Sequence, residues 1–93
     1  MNLTMDEIIN AICLHMAERK AVQPTDVQVE LSWDEDTGFS AEVWVQDRSQ
    51  FLVESNMIEA ILRYVHNEYD VRAYREDVQL ELDEEITATI HTE

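Results

Sequence analysis

The 93-residue sequence predicts an α+β domain, a two-layer sandwich of order αβββαββ with two helices on one face of a mostly antiparallel sheet. Three observations predict it. Two segments carry apolar residues at helical spacing behind a capping-box pattern. Five segments alternate apolar and polar residues with period two. Short polar connections join alternating segments, which antiparallel hairpins accept and parallel pairs do not.

The first helix opens at Thr4-Met5-Asp6-Glu7, where the Thr4 hydroxyl can accept from the Glu7 amide and the Glu7 side chain can reach back. Met5, Ile8, Ile9, Ile12, Cys13 and Met16 form its apolar stripe. It closes at Arg19-Lys20, where cations suit the negative end of the helix dipole. Gln23-Pro24-Thr25-Asp26 reads as a connection. The next strand places Val27, Val29, Leu31 and Trp33 on one face and Gln28, Glu30 and Ser32 on the other. The polar loop 34–38 ends in the only glycine, Gly38, where a positive φ is wanted. Phe39, Ala41, Val43 and Val45 line the inner face of the second strand. Asp47-Arg48-Ser49 reads as the next turn, and Phe51 and Val53 as the inner face of a third strand.

Centring the two turns on Asp36 and Arg48 sets the register. Glu30 then lies opposite Glu42, and Glu42 opposite Glu54. Val29 meets Val43 and Val43 meets Val53 on the inner face. A second capping box, Asn56-Met57-Ile58-Glu59, starts the second helix, with Ile58, Ile61, Leu62, Val65 and Tyr69 as its stripe. Met57, Ala60 and Tyr64 broaden its apolar surface. Residues 70–76 are polar and irregular. Val78, Leu80 and Leu82, then Ile86, Ala88 and Ile90, form a terminal hairpin about Glu84, free to join the first three strands or to pair across a dimer.

Composition narrows the partners. The net charge of −15 opposes nucleic acids and anionic membranes, because affinity for phosphates rests on Lys and Arg displacing counterions. Only Arg19 and Lys20 among the six basic residues are adjacent. One cysteine makes no internal disulfide. The start lacks a basic, then apolar, secretory leader, and no apolar stretch is long enough to span a bilayer, so a reducing cytoplasm is expected.

The segments Trp33-Asp34-Glu35-Asp36, Gly38-Phe39-Ser40-Ala41-Glu42-Val43 and Glu54-Ser55-Asn56-Met57-Ile58-Glu59-Ala60-Ile61 resemble the YxcD-like family of small uncharacterised bacterial proteins. Ile8-Ile9-Asn10-Ala11-Ile12-Cys13 is similar too, so the resemblance covers nearly the whole chain. It implies no activity, substrate or catalytic residues.

The candidate site is the row Glu30, Glu42 and Glu54 together with Trp44 and Leu52, which the expected register sets opposite each other on the same outer face. Like charges on neighbouring strands repel, so solvent, a cation or a basic partner must offset the row. An exposed Trp beside Leu suits a protein contact. Two readings follow. The first is a non-enzymatic interaction module, a homodimer that engages a basic partner or mimics the charge of DNA. The second uses Glu30, Glu42 and Glu54 to bind a divalent cation such as Ca²⁺ or Mg²⁺. No cofactor is expected. The 34–38 loop fails the EF-hand pattern, because Gly38 comes one place early and Val45 stands where the closing glutamate belongs. Cys13 sits on an apolar stripe as a small hydrophobe. His91 opposite Asp77 has no coupled nucleophile, and no catalytic motif is present.

Overall fold

A computed structural model describes residues 1–91. It contains strand β1 (Asn2–Leu3), helix α1 (Met5–Lys20), strands β2 (Val27–Asp34), β3 (Gly38–Val45) and β4 (Arg48–Val53), helix α2 (Glu54–Tyr69), and strands β5 (Val78–Leu82) and β6 (Ile86–Ile90). Single 3-10 turns, Pro24–Asp26 and Arg75–Asp77, lead into β2 and β5. The α+β class and the order of the expected elements hold. The strands form two three-stranded antiparallel sheets, β2-β3-β4 and β1-β6-β5. The terminal hairpin therefore does not join the first three strands. It pairs with the N-terminal β1, a two-residue strand too short to show a period. Ile90 N–H donates to the Met1 carbonyl at 2.8 Å, and the Met1 ammonium donates to Ile90 O at 3.1 Å.

α1 packs on β2 of one sheet and β6 of the other, while α2 covers β3 and β4. The two helices also pack on each other, so one apolar core joins both sheets through Ile8, Ile12, Val43, Ile61, Val65 and Ile90. The Thr4 capping box forms as expected: Glu7 N–H donates to Thr4 Oγ1 at 3.3 Å and Thr4 N–H to Glu7 Oε1 at 3.5 Å. The opposite ends of the helices are tied as well. Tyr69 Oη donates to Glu7 Oε2 at 2.6 Å, and the Arg63 guanidinium donates to Glu18 at 2.6 Å. Both ties are exposed and so contribute little to stability.

Two expectations about α2 are corrected. It begins at Glu54, two residues ahead of Asn56, with Val53 as the N-cap. Asn56 occupies the third helical position and accepts from the Val53 N–H at 3.3 Å. Valine has no oxygen to complete the box. The buried stripe is Met57, Ala60, Ile61, Tyr64 and Val65, whereas Ile58 and Leu62 are half-buried and Tyr69 is exposed. The residues that seemed to broaden the helix are its core face.

The first hairpin has the expected register, with Glu30 opposite Glu42 and Val29 opposite Val43. Gly38 has φ of +78°, and Asp36 N–H donates to Asp34 Oδ1 at 2.8 Å to close the loop. The second hairpin differs. Its connection is the two-residue pair Gln46-Asp47, with Gln46 in the left-handed region at φ +57°. Ala41 pairs with Leu52, Glu42 with Phe51, and Trp44 with Ser49. This is an odd shift from the expected register, so every β4 side chain changes face.

Candidate functional site: an acidic, aromatic sheet face

Alternation along the observed register defines the outer face of the β2-β3-β4 sheet. One row is Gln28, Trp44 and Ser49. The next is Glu30, Glu42 and Phe51, and the third Ser32, Ser40 and Val53. Of the five residues expected to act together, the structure keeps Glu30, Glu42 and Trp44 on one face and removes the other two. Glu54 is the first residue of α2, not a strand residue. A carboxylate there favours the positive end of the helix dipole, and the twelve-residue step from Glu42 to Glu54 has no sheet geometry behind it. Leu52 points inward beneath α2 and is only 7% exposed. The three glutamates therefore do not converge as an oxygen cage. Among the described residues, no group of three or more His, Cys, Asp or Glu side chains is placed to hold a metal ion.

What replaces Leu52 on this face is more apolar. Phe51 is 69% exposed and Val53 58% exposed, both on the edge strand β4. Trp44 stays on this face as expected, and Phe51 and Val53 stand where Leu52 was expected. Beside Trp44 lies a cavity of about 620 Å³, lined by Asp26, Gln28, Glu30, Trp44 and Gln46 with Thr25 and Val29. Asp26 enters it from the 3-10 turn that precedes β2. The Gln23 N–H donates to Asp26 Oδ2 at 3.2 Å and holds that carboxylate at the rim. No lysine or arginine lies at ion-pair distance from Asp26, Glu30 or Glu42 among the described residues. The recess thus combines two uncompensated carboxylates with a half-buried indole, two groups that attract a cation, one by charge and one by the ring quadrupole. Asp26 was read from sequence only as part of a connection, and its place beside Trp44 depends on the turn geometry.

The remaining titratable residues offer little nucleophilic chemistry. Cys13 is half-buried, its Sγ lies 3.7 Å from the Val27 carbonyl, and burial pushes its thiol pKa up. His91 does face Asp77, but through the backbone, with His91 N–H donating to Asp77 O at 2.7 Å. The Asp77 carboxylate accepts from the Tyr74 N–H at 2.9 Å instead. His15, two residues from Cys13 on the helix and so unable to pair with it on a metal, was not expected in the core. It lies on the core side of α1 between the helices, 5% exposed, and its Nδ1 has no hydrogen-bond partner. Its position three after Ile12 and four after Ala11 was the available signal.

Comparison with known proteins agrees with the resemblance read from sequence. The chain is 28% identical over 82 residues to a Bacillus subtilis (strain 168) protein named "Uncharacterized protein YxcD", an alignment covering 87% of this chain and 80% of that one. No solved structure matches the chain. No helix is long and apolar enough to cross a membrane among the described residues. Residues 1–85 match the model of the family described as "Protein of unknown function (DUF2653)", and the chain belongs to that family.

Proposed function

We propose that this protein is a non-enzymatic interaction module that engages a basic partner through the outer face of the β2-β3-β4 sheet. The observation that carries the reading is the recess at Trp44, where Asp26 and Glu30 stand without cationic partners around a half-buried indole. A lysine or arginine side chain of the partner enters the recess. Phe51 and Val53 supply apolar contact nearby, and Glu42 adds charge between them and Glu30. The net charge of −15 steers a basic chain toward this surface and opposes nucleic acid.

A second copy of the chain is the other reading, favoured by the exposure of Phe51 and Val53 on an edge strand. Salt separates the two. Attraction between an acidic recess and a basic peptide weakens as ionic strength rises, whereas two subunits of charge −15 repel less and associate more. The test is binding of a fluorescein-labelled peptide of alternating lysine and valine, followed by anisotropy at low and high salt, beside sedimentation of the protein alone. The basic-partner reading expects saturable binding that falls with salt and drops about tenfold in Trp44→Ala, a loss within the range of a desolvated cation–π contact. Binding indifferent to Trp44→Ala and to Glu30→Gln overturns it. A dimer that tightens with salt and dissociates in Phe51→Ser supports the second reading.

A further inference from the structure

The opposite face of the same sheet carries an inverse charge pattern. The sequence shows only Arg19 and Lys20 together, but the second hairpin brings Arg48 to the same corner. A cavity of about 510 Å³ lies between the end of α1 and the β3-β4 connection, lined by Lys20 and Arg48 at its polar side and by Val22, Val43 and Val45 at its apolar side. It adjoins one of about 300 Å³ lined in part by His15, Arg19 and Asn56. Lys20 and Gln50 line both, and Gln50 is held there by a 3.8 Å contact from its amide nitrogen to Met16 Sδ.

The chain has 21 acidic residues and six basic ones. Among the described residues no Asp or Glu lines either cavity, while three of the six basic residues do. Neither Lys20 nor Arg48 lies at ion-pair distance from a carboxylate among the described residues. Stabilising the helix dipole accounts for Lys20 at the end of α1. It does not account for Arg48, which comes from a strand, nor for a lining that offers amide, hydroxyl and cationic donors without one carboxylate.

We infer that this cleft binds a small amphipathic organic anion. Its charged group lies between the Lys20 ammonium and the Arg48 guanidinium, and its apolar part lies on the half-buried Val22 and Val45. The volume lies in the range of small-molecule sites, about 300–1,000 Å³. The site faces away from the Trp44 recess and stands or falls independently of the function proposed above. A chain of charge −15 repels anions in general, so saturable uptake of one requires a local field of the opposite sign.

The test is a titration of the isotope-labelled protein with hexanoate, hexanol and hexylammonium, read by amide chemical shifts. Hexanoate is expected to give saturable shifts centred on Lys20, Val22, Val43 and Arg48, with hexanol and hexylammonium at least about tenfold weaker, the ratio expected when charge-assisted hydrogen bonds are lost. Lys20→Gln with Arg48→Gln abolishes saturation while the amide spectrum stays that of the folded protein, with only the small loss of melting temperature expected from removing a cation at the end of α1. Lys20→Arg with Arg48→Lys, which keeps both charges, retains it. Hexanoate binding no tighter than hexanol, or unchanged in the Gln double variant, overturns the inference.

Discussion

His15 is the residue where burial and ionisation conflict most. Burial lowers its pKa, the nearby Glu59 and Glu18 carboxylates raise it, and the Arg19 and Arg63 cations lower it further; burial is the largest effect and the net direction is down. The folded protein therefore keeps the imidazole neutral at a pH where the unfolded chain already protonates it. Such a group contributes its full stability above the ordinary histidine pKa, about 6.5, and that contribution is lost as pH falls below it toward the lowered folded value. Thermal melts of the wild type and of His15→Leu between neutral and mildly acidic pH should therefore diverge. The wild type loses stability relative to the variant as pH falls, and parallel curves would show that His15 is not held neutral. Glu42 gives a second residue-scale test. It faces Glu30 across the strand pair, and like charges in that position are destabilising. Glu42→Gln should stabilise the isolated protein by about 0.2–1 kcal/mol in chemical denaturation while weakening binding of a basic peptide. A loss of stability would mean that Glu42 is satisfied by a specific donor.

The second hairpin decides which residues belong to the site at the scale of the element. Hydrophobicity alone favours Phe51 and Val53 inside. The chain instead turns in two residues at Gln46-Asp47, and the odd shift sends Leu52 under α2 and leaves Phe51 and Val53 in solvent. Two-residue connections match the twist of paired strands, but glutamine is not a residue that announces a positive φ, so nothing in the sequence marked this turn. The first hairpin was legible because Gly38 and a run of acidic residues fixed its centre. The same contrast holds for the helices. Thr4 and Glu7 declared the start of α1, whereas α2 starts at Glu54 with a valine cap and hid a face rotated from the one its longest apolar side chains suggest. The register makes a direct prediction. Leu52→Ala should cost about 2–5 kcal/mol, as for a buried leucine in a packed core. Phe51→Ser should change stability by no more than about 0.5 kcal/mol, as for an exposed position. Urea denaturation of both variants checks it, and the reverse order would restore the other register.

Charge is distributed across the whole molecule with more order than its total of −15 suggests. The outer face of the β2-β3-β4 sheet gathers Asp26, Glu30 and Glu42 around Trp44, and the inner end of the same sheet gathers Arg48 with Lys20. Gln46, in the left-handed turn between β3 and β4, lines a cavity on each side. From the sequence, the acidic composition and the pair Glu30/Glu42 were readable because they depend on one well-marked turn. Asp26 and Arg48 were not, because each reaches its cavity through a turn whose geometry the sequence leaves unmarked.

The central claim is that the recess at Trp44 receives a cationic side chain, and the indole itself can report it. Trp33→Phe leaves Trp44 as the single tryptophan. Titration of that variant with the lysine–valine peptide should then change Trp44 fluorescence saturably, with the effect weakening as salt is added and shrinking in Glu30→Gln. A glutamate–valine peptide of the same length should leave it unchanged. An unchanged Trp44 signal on adding the basic peptide, or an equal change with the acidic one, would contradict the claim.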